Sequence, residues 1–287
     1  MTSNTTEERV DEEAIGQLLW AFKLEEGEGG LEAREDEYTR ALALMEEPER
    51  ERISRFVFRI DAVRALVGRL LIRQACRRVL GIPCHSQQLL RTAENKPYLA
   101  SPRPSSFPSW NFNISHDGRW VALAAHPSRL AGMDVAAVGL RPPHSSAEEF
   151  FSLMSSVLQP TEWLLVRSTA SQQGALLQFF TLWALKEAYV KATGAGLSVE
   201  PHHLSFHFDP SNGYALSLHG KLLSNWSFRV FLLDPAHVAA VALGPVSDAV
   251  PSFRRTLSES EPLRDASVAC EPVLRQLQLE ELFQGYT

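Results

Sequence analysis

The sequence predicts an α+β protein built from two similar halves. Apolar residues recur at helical spacing over two long stretches, and short alternating stretches separated by tight-turn residues follow each of them. A helix is followed by two hairpins in 61–126, and the same order returns in 175–243. We therefore expect two related units that pack together around a cleft, which is a favoured place for ligands.

The elements of the first half follow one another in a clear order. The stretch QLLWAFKLEE predicts a first strand, and residues 61–80 predict a long helix that ends at Gly81 and Pro83. QLLRTAENKPYLA predicts two short strands around an Asn-Lys-Pro turn, and 101–109 a loop. The Asp-Gly and His-Pro-Ser turns within 110–138 predict three adjacent antiparallel strands.

The second half begins with a Pro- and Ser-rich excursion, 141–174, that contains an amphipathic helical stretch. A strongly apolar helix is predicted at about 175–193, with the following Gly-x-Gly as its C-cap and not as a phosphate loop. Two further hairpins complete this half, in LSFHFDPSNGYALSLHG and WSFRVFLLDPAHVAAVAL.

These elements give a division of the chain. We expect an acidic leader at 1–17, an N-terminal half at 18–130, a C-terminal half at 131–243 and a polar, partly mobile tail at 244–287. The last stretch, EPVLRQLQLEELF, is alternatively a short helix against the body or against a partner.

Charge is distributed unevenly. Residues 1–51 hold 16 acidic and 5 basic side chains, whereas 52–243 hold 19 basic and 11 acidic ones, a net charge of +8. Such a basic body suits an anionic ligand or an acidic partner, and ordinary solubilising charge is the alternative. A basic stripe at Arg69, Arg73 and Arg77 leaves nucleic-acid binding open, but no nucleic-acid motif is present.

Composition indicates a cytosolic protein. No apolar run approaches the ~18 residues of a membrane span, and the acidic N-terminus lacks the pattern of a secretory signal. Cys76, Cys84 and Cys270 have no metal-like spacing, which favours reduced thiols.

Two carboxylates interrupt apolar patterns. Asp134 lies in LAGMDVAAVGL and Glu187 in ALLQFFTLWALKEAYV. A buried carboxylate needs a cation or hydrogen-bond donors, so both are candidates for a Mg²⁺ site. The alternatives are that Asp134 turns to solvent at a strand end and that Glu187 forms a surface ion pair with Lys191, at the favourable i, i+4 spacing.

The histidines of HHLSFHF are rejected as a joint metal site. His203 and His207 lie on one predicted strand, where their separation is ~13 Å.

Two segments together are specific enough to suggest a family. NISHDGRWVALAA…GMDV, followed downstream by FTLWALKEAYVKATGAGL, resembles the 4′-phosphopantetheinyl transferase superfamily. ERISRFVF…DAVRALVGRLLIR and RTAENKPYLA are similar to its eukaryotic cytosolic branch, the aminoadipate-semialdehyde-dehydrogenase type. The resemblance covers about 18–243. It implies a monomer of two similar α+β halves, related by a pseudo-twofold, with the active site in the cleft between them.

The resemblance also implies an activity. Such enzymes move the phosphopantetheine arm of coenzyme A to a serine of an apo acyl or peptidyl carrier protein and release adenosine 3′,5′-bisphosphate. The implied carriers belong to fatty acid synthase or to aminoadipate-semialdehyde dehydrogenase. Asp134 and Glu187 would hold Mg²⁺, or Mn²⁺, against the pyrophosphate; Glu187 would also be the general base and Lys191 would neutralise the leaving phosphate. The implied coenzyme A contacts are Arg52, Arg91, Lys96, Ser115, His116 and Lys191.

Two residues depart from the family's pattern. Ala136 occupies the position at which bacterial members carry a second acid, and Asp117 stands where the eukaryotic branch often has an amide. An acid at 117 either repels the phosphates or adds a metal ligand. These departures keep a second interpretation open, a non-catalytic module that binds coenzyme A or a carrier protein. Residues 150–165, with Phe151, Met154 and Leu158, either form the carrier-docking face or pack the insertion.

Overall fold

The computed structural model describes residues 15–25, 31, 34–140, 146–257 and 273–286. Within these residues the helices are α1 (Glu35–Ala43), α2 (Glu47–Ser54), α3 (Arg59–Leu80), α4 (Ala147–Leu153), α5 (Pro160–Arg167), α6 (Gln172–Thr193), α7 (Pro251–Arg254) and α8 (Leu279–Leu282). The strands are β1 (Leu18–Lys23), β2 (Leu89–Arg91), β3 (Pro97–Leu99), β4 (Asn111–Asp117), β5 (Trp120–His126), β6 (Leu130–Ala137), β7 (Leu204–Asp209), β8 (Gly213–Leu218), β9 (Lys221–Leu222), β10 (Ser227–Asp234), β11 (His237–Gly244) and β12 (Arg275–Gln276).

Two larger sheets organise the molecule. One has the strand order β12-β1-β5-β4 and the other the order β10-β11-β6, and the hairpins β2-β3 and β7-β8-β9 form two small sheets. The predicted hairpins are therefore present. None of the described helices combines the length and the apolar character that a membrane span requires.

One predicted pairing is wrong. The sequence pattern predicted three adjacent antiparallel strands within 110–138, but β6 pairs with β11 and not with β5. The edge strands β4 and β6 lie side by side instead, and polar side chains of β4 accept hydrogen bonds from backbone amides of β6. The contacts are Asn111 Oδ1 with Ala131 N at 3.0 Å, Asn113 Oδ1 with Met133 N at 2.9 Å, Ser115 Oγ with Val135 N at 3.2 Å and Asp117 Oδ2 with Ala137 N at 2.9 Å. This side-chain ladder satisfies amides that would otherwise be buried without acceptors.

Each half has its own apolar core around one long helix. In the first half α3 buries Leu66 and Leu70 completely, and in the second half α6 does the same with Phe179 and Leu185. Both helices end at a glycine in the left-handed conformation, Gly81 and Gly194, as predicted. A third cluster, mostly of small side chains, joins β1, β5, β6 and β11.

The structure describes only part of the predicted leader and of the predicted polar, partly mobile tail. Residues 1–14 of the predicted leader lie outside the described residues, as do 258–272 of the tail. Residues 273–286, however, are packed: β12 pairs in parallel with β1, and Leu277 and Leu282 are at most 1% exposed. The alternative, a short helix against the body, is therefore the correct one for this segment, with α8 as that helix.

The insertion 146–171 is packed as well. Phe151 and Leu158, two of the three residues suggested for carrier docking, are only 4% and 3% exposed. The Phe151 ring lies 5.7 Å from the ring of Phe179 on α6. The suggestion that these residues form a docking face is wrong, because they fill the core of the second half.

The basic stripe on α3 is not a cationic surface. Arg73 is 2% exposed and donates to Glu49 Oε2 at 2.6 Å and to the Cys84 carbonyl at 2.8 Å. Arg69 forms an ion pair with the same glutamate at 3.1 Å. Arg77 donates to Gln74 Oε1 at 3.0 Å. The side chains that favoured nucleic-acid binding are thus engaged within the protein.

Candidate active site

The candidate site lies where β6 crosses α6. Gly132 allows this contact, because a Cβ at that position would stand only 1.9 Å from the Ala188 carbonyl oxygen of α6. Residues 132, 134 and 136 share one face of the strand, so Asp134 also faces the helix. The apolar strand pattern that singled out Asp134 thus reflects a strand buried on both faces.

The carboxylate of Asp134 is buried and has charged and polar partners. Lys191 Nζ lies 2.5 Å from Asp134 Oδ1, and Ser115 Oγ lies 3.0 Å from the same oxygen. Lys191 Nζ also donates to Ser115 Oγ at 2.9 Å. Asp134 is 5% exposed, so the alternative in which it turns to solvent is wrong.

Glu187 lies one helical turn before Lys191 on α6 and is half-buried. The proposed surface ion pair between these two residues is not formed. Within the described part of the chain, the Glu187 carboxylate has neither a hydrogen bond nor an ion pair. Its pKa is raised, first by burial and then by the neighbouring charge of Asp134, and Lys191 opposes this shift. Burial likewise raises the pKa of Asp134 against the effect of Lys191.

These two carboxylates fit a divalent cation. Burial raises the pKa of both carboxyls, the charge of Asp134 raises that of Glu187 further, and Glu187 has no protein donor among the described residues. Mg²⁺ prefers such oxygen donors and is held by one or two carboxylates. Ala136 contributes no ligand and is packed in the core at 4% exposure.

The other amine of the helix, Lys186, points away from this site. Its Nζ lies 2.7 Å from Glu162 Oε2 of α5, and the two side chains are 3% and 0% exposed. It also donates to the carbonyls of Val157, Pro201 and Leu204 at 3.1, 3.0 and 2.6 Å. Glu162 in turn accepts from Phe206 N at 2.8 Å. Lys186 therefore ties α6 to α5 and β7, a structural role that the sequence did not indicate.

A cluster of arginine side chains, Arg52, Arg69 and Arg91, lies beside the hairpin β2-β3. The pKa of Arg91 is lowered to about 10 by burial and by the charges of Arg69 and Arg52. Arg91 donates to the Asn95 carbonyl at 2.6 Å, which holds its side chain against the hairpin turn. Glu49 is the acidic side chain that offsets this positive charge. The sequence predicted Arg52 and Arg91 as site residues but not Arg69, which it assigned to the basic stripe.

Three further predicted residues have distinct surroundings. Lys96 is 6% exposed, its ammonium donates to the Lys191 carbonyl, and burial together with Lys191 lowers its pKa to about 7. Its predicted contact with coenzyme A stays a prediction. His116 reaches solvent at the end of β4, and partial burial, Arg64 and Lys191 lower its pKa. Asp117 accepts from Gly118 N at 2.8 Å as well as from Ala137 N, so its oxygens serve the ladder.

Comparison with known proteins assigns the family. A family model described as "4′-phosphopantetheinyl transferase, N-terminal" matches residues 32–128, and one described as "4′-phosphopantetheinyl transferase superfamily" matches residues 132–242. The chain belongs to the 4′-phosphopantetheinyl transferase superfamily. The predicted family, its fold and the enzyme class are thereby confirmed.

Individual relatives agree with this assignment. The L-aminoadipate-semialdehyde dehydrogenase-phosphopantetheinyl transferase of Xenopus laevis is 34% identical, over 81% of this chain and 78% of the relative. The protein of the same name from Homo sapiens is 37% identical, over 72% of this chain and 69% of the relative. A phosphopantetheinyl transferase of Thraustochytrium sp. is 39% identical, over 69% and 70%.

Proposed function

We propose that this transferase moves the 4′-phosphopantetheine arm of coenzyme A to a serine of an apo acyl or peptidyl carrier protein and releases adenosine 3′,5′-bisphosphate. The observation that carries this proposal is the convergence of Asp134, Glu187 and Lys191 at the contact between β6 and α6, in a chain of this family. The relatives' name supports carrier domains of the aminoadipate-semialdehyde dehydrogenase type, and carriers of fatty acid synthase are included in the proposal.

We propose that Asp134 and Glu187 hold Mg²⁺, or Mn²⁺ in its place. When bound, such an ion neutralises charge that develops on phosphate oxygens. Burial raises the pKa of Glu187, and the neighbouring charge of Asp134 raises it further; this proximity of two carboxylates supports the assignment. Ser115 and Lys191 fix Asp134 Oδ1 by hydrogen bonds at 3.0 and 2.5 Å and so hold its second oxygen in place.

Glu187 is the proposed general base. Its carboxylate has no hydrogen-bond donor within the described residues, and its raised pKa brings it closer to the pH at which a base is most effective. The serine hydroxyl of the carrier loses its proton to this carboxylate, directly or through water, as it attacks the β-phosphate. The side chain of Lys191 is 31% exposed, and its ammonium lies beside Asp134. In this proposal it neutralises the leaving phosphate.

The cluster of guanidinium groups formed by Arg52, Arg69 and Arg91 is the proposed site for the phosphates of coenzyme A. Ser115, His116 and Lys96 are the further predicted contacts. Planar guanidinium groups bind phosphate oxygens in pairs, which gives both affinity and orientation. Burial lowers the pKa of Arg91 first, and the charges of Arg69 and Arg52 lower it further; this closeness of three cations around one acidic side chain, Glu49, supports the proposal. An arriving phosphate would relieve the repulsion among these cations.

The remaining parts of the proposal concern the state of the protein. We propose that it is a cytosolic monomer whose halves meet at about residue 130, between 18–130 and 131–243. The free thiols of Cys76 and Cys84 support a reducing compartment. The separate apolar cores around α3 and α6 support the division into halves.

We propose that the carrier docks beside the junction of α2 and α3. Phe56, Val57 and Phe58 are 42%, 89% and 68% exposed there, three successive apolar side chains in contact with solvent. Arg52 and Arg55 precede them and Arg59 follows. Arg55 and Arg59 pair with Glu51 at 3.4 Å and with Glu35 at 2.6 Å, so Arg52 is the basic side chain here that suits the acidic carrier implied by the family resemblance. The next turns of α3 carry Arg64, whose charge acts on His116 of the candidate site.

A pair of substitutions tests this docking surface. Val57→Asp should raise KM for the carrier roughly tenfold, because it places a carboxylate in the apolar contact, with KM for coenzyme A unchanged. Leu164→Asp is the matched control, an apolar position on α5 that is 69% exposed, within the region first suggested for docking. If only Leu164→Asp raises KM for the carrier, the docking surface lies on the insertion.

Intact-protein mass spectrometry tests the activity. An apo acyl carrier protein incubated with this protein, coenzyme A and Mg²⁺ should gain one phosphopantetheine group, and EDTA should prevent the gain. If coenzyme A binds but several carriers gain nothing, the alternative holds: a non-catalytic module that binds coenzyme A or a carrier.

A further inference from the structure

Several side chains of the types that can bind metal ions cluster outside the candidate active site, in the turn that connects α6 to β7. Glu200, His202 and His203 each offer one ligand atom, and these three atoms all lie within 4.8 Å of one another. His202 Nε2 lies 3.4 Å from Glu200 Oε2, and the two imidazole rings have centroids 4.1 Å apart. Ligands of one tetrahedral ion have to converge in this manner.

A fourth imidazole lies beside this group, in the turn between β8 and β9. The ring of His219 lies 4.7 Å from that of His203, measured between centroids. The His219 backbone amide donates to the His203 carbonyl at 3.4 Å, which fixes the two turns against each other. Residues sixteen positions apart in the sequence therefore bring their imidazoles to one place.

The cluster stands on a rigid support. The Gln159 side-chain amide donates to the His202 carbonyl, and Lys186 Nζ donates to the carbonyls of Pro201 and Leu204, on either side of the two histidines. These donors belong to the buried Lys186–Glu162 pair and to the start of α5. A metal site whose backbone is already fixed loses little conformational entropy when the ion binds.

The chemistry of the donors indicates the ion. We propose that Glu200, His202, His203 and His219 bind a Zn²⁺-type divalent ion, at a site separate from the carboxylates of the cleft. Three imidazoles and one carboxylate are donors that Zn²⁺ accepts in tetrahedral geometry, whereas Mg²⁺ requires oxygen donors. His207 lies on β7, four residues beyond His203, and is not part of the proposed site, in agreement with the rejection of a His203–His207 pair.

Binding at this site would stabilise the loop that follows the candidate catalytic helix. That loop passes the hairpin β2-β3, since a Cβ at Gly196 would lie 3.8 Å from Glu94 Cβ, and Glu94 precedes Lys96 in the same turn. The ion would join the α6–β7 turn to the β8–β9 turn. We therefore expect Zn²⁺ to raise the melting temperature of the protein even when neither coenzyme A nor a carrier is present.

The test uses the full chain without a histidine tag and needs no transfer activity. Calorimetric titration with Zn²⁺ should show one tight site, and Co²⁺ should give the intense visible absorption of a tetrahedral nitrogen-rich site. Changing both His202 and His203 to alanine should weaken binding roughly 100-fold or more and remove the absorption. His207→Ala is the matched control and should bind as the wild type does.

Two results that concern the histidines themselves would overturn the proposal. One is unchanged Zn²⁺ affinity in the variant that lacks His202 and His203, and the other is the absence of the Co²⁺ absorption in the wild-type protein. A variant with Asp134→Ala and Glu187→Ala should keep both signals. If that variant loses them, the ion binds in the cleft and not at the histidines. Because metal binding alone is measured, these outcomes are independent of whether the proposed transfer occurs.

Discussion

Lys186→Met tests whether Lys186 has a structural role while its neighbour in the sequence, Glu187, has a chemical one. The substitution keeps an unbranched side chain on α6 but removes the ammonium that lies 2.7 Å from Glu162 Oε2. Glu162 is then left fully buried without its cation, and the carbonyls of Pro201 and Leu204 lose the hydrogen bond from the ammonium, while the Pro201 carbonyl still accepts from Leu204 N. We expect a large loss of stability with little direct effect on the chemistry.

The magnitude follows from the burial of the pair. Removing one partner of a buried ion pair costs about 3–5 kcal/mol, and each carbonyl left without a donor costs about 1–3 kcal/mol. These terms overlap, because all of these groups share one ammonium and the turn can relax around the new side chain. We therefore expect a decrease of about 4 kcal/mol in the free energy of unfolding. For a protein of this size that corresponds to a melting temperature lower by about 8–16 °C.

Urea denaturation followed by tryptophan fluorescence measures the decrease. Lys221→Met is the matched control, because Lys221 is exposed on β9, and it should be nearly neutral. The double variant Lys186→Met with Glu162→Gln should be more stable than Lys186→Met alone, since no unpaired charge is buried. A decrease below about 1 kcal/mol would refute this reasoning. So would a loss of transfer activity in Lys186→Met protein that is still as stable as the wild type.

Three further predictions concern packing, pH and the phosphate site. Gly132→Ala should cost about 3 kcal/mol, because its Cβ would meet the Ala188 carbonyl; Gly139→Ala, with nothing within 4 Å, is the control. In the folded protein the pKa of Lys96 is lowered to about 7. Above pH 7 its amine is therefore mostly neutral in the folded state, whereas it still binds a proton in the unfolded state. Stability should therefore rise from pH 7 towards 10, and Lys96→Met should remove this rise in denaturation curves. Arg69→Ala should raise KM for coenzyme A roughly tenfold, because it removes one guanidinium from the proposed phosphate site; a KM within about twofold of the wild type would contradict the assignment.

Local patterns predicted the elements well, and the reasons are visible in the structure. Both long helices end at glycines in the left-handed conformation, and the Asp-Gly and Asn-Lys-Pro turns join paired strands. The pairing of β6 was missed because it depends on contacts beyond the neighbouring strand. Polar residues at every second position of β4 replace a normal strand partner, and a sequence pattern does not distinguish such a ladder from a solvent-facing edge.

The site was predicted in part. Asp134 and Glu187 stood out because a carboxylate is unusual in an apolar pattern, and that signal is local. Arg69 and Lys186 were missed for the opposite reason: cations are common on helices, and their partners come from distant segments. The same holds for His219, which meets His203 only through the fold of two separate turns. A lysine in an almost wholly apolar helix was nevertheless a usable signal that an acidic partner would be buried with it.

The most direct test of the account is the rate at which Glu187→Gln transfers phosphopantetheine, measured by the mass of a carrier protein at fixed times. We predict a rate lower by about 10²–10⁴-fold, the usual effect of losing a general base, with coenzyme A affinity and stability close to those of the wild type. Glu148→Gln, an exposed glutamate on α4, should transfer normally. If Glu187→Gln transfers within about tenfold of the wild-type rate, Glu187 is not the base, and the central claim fails.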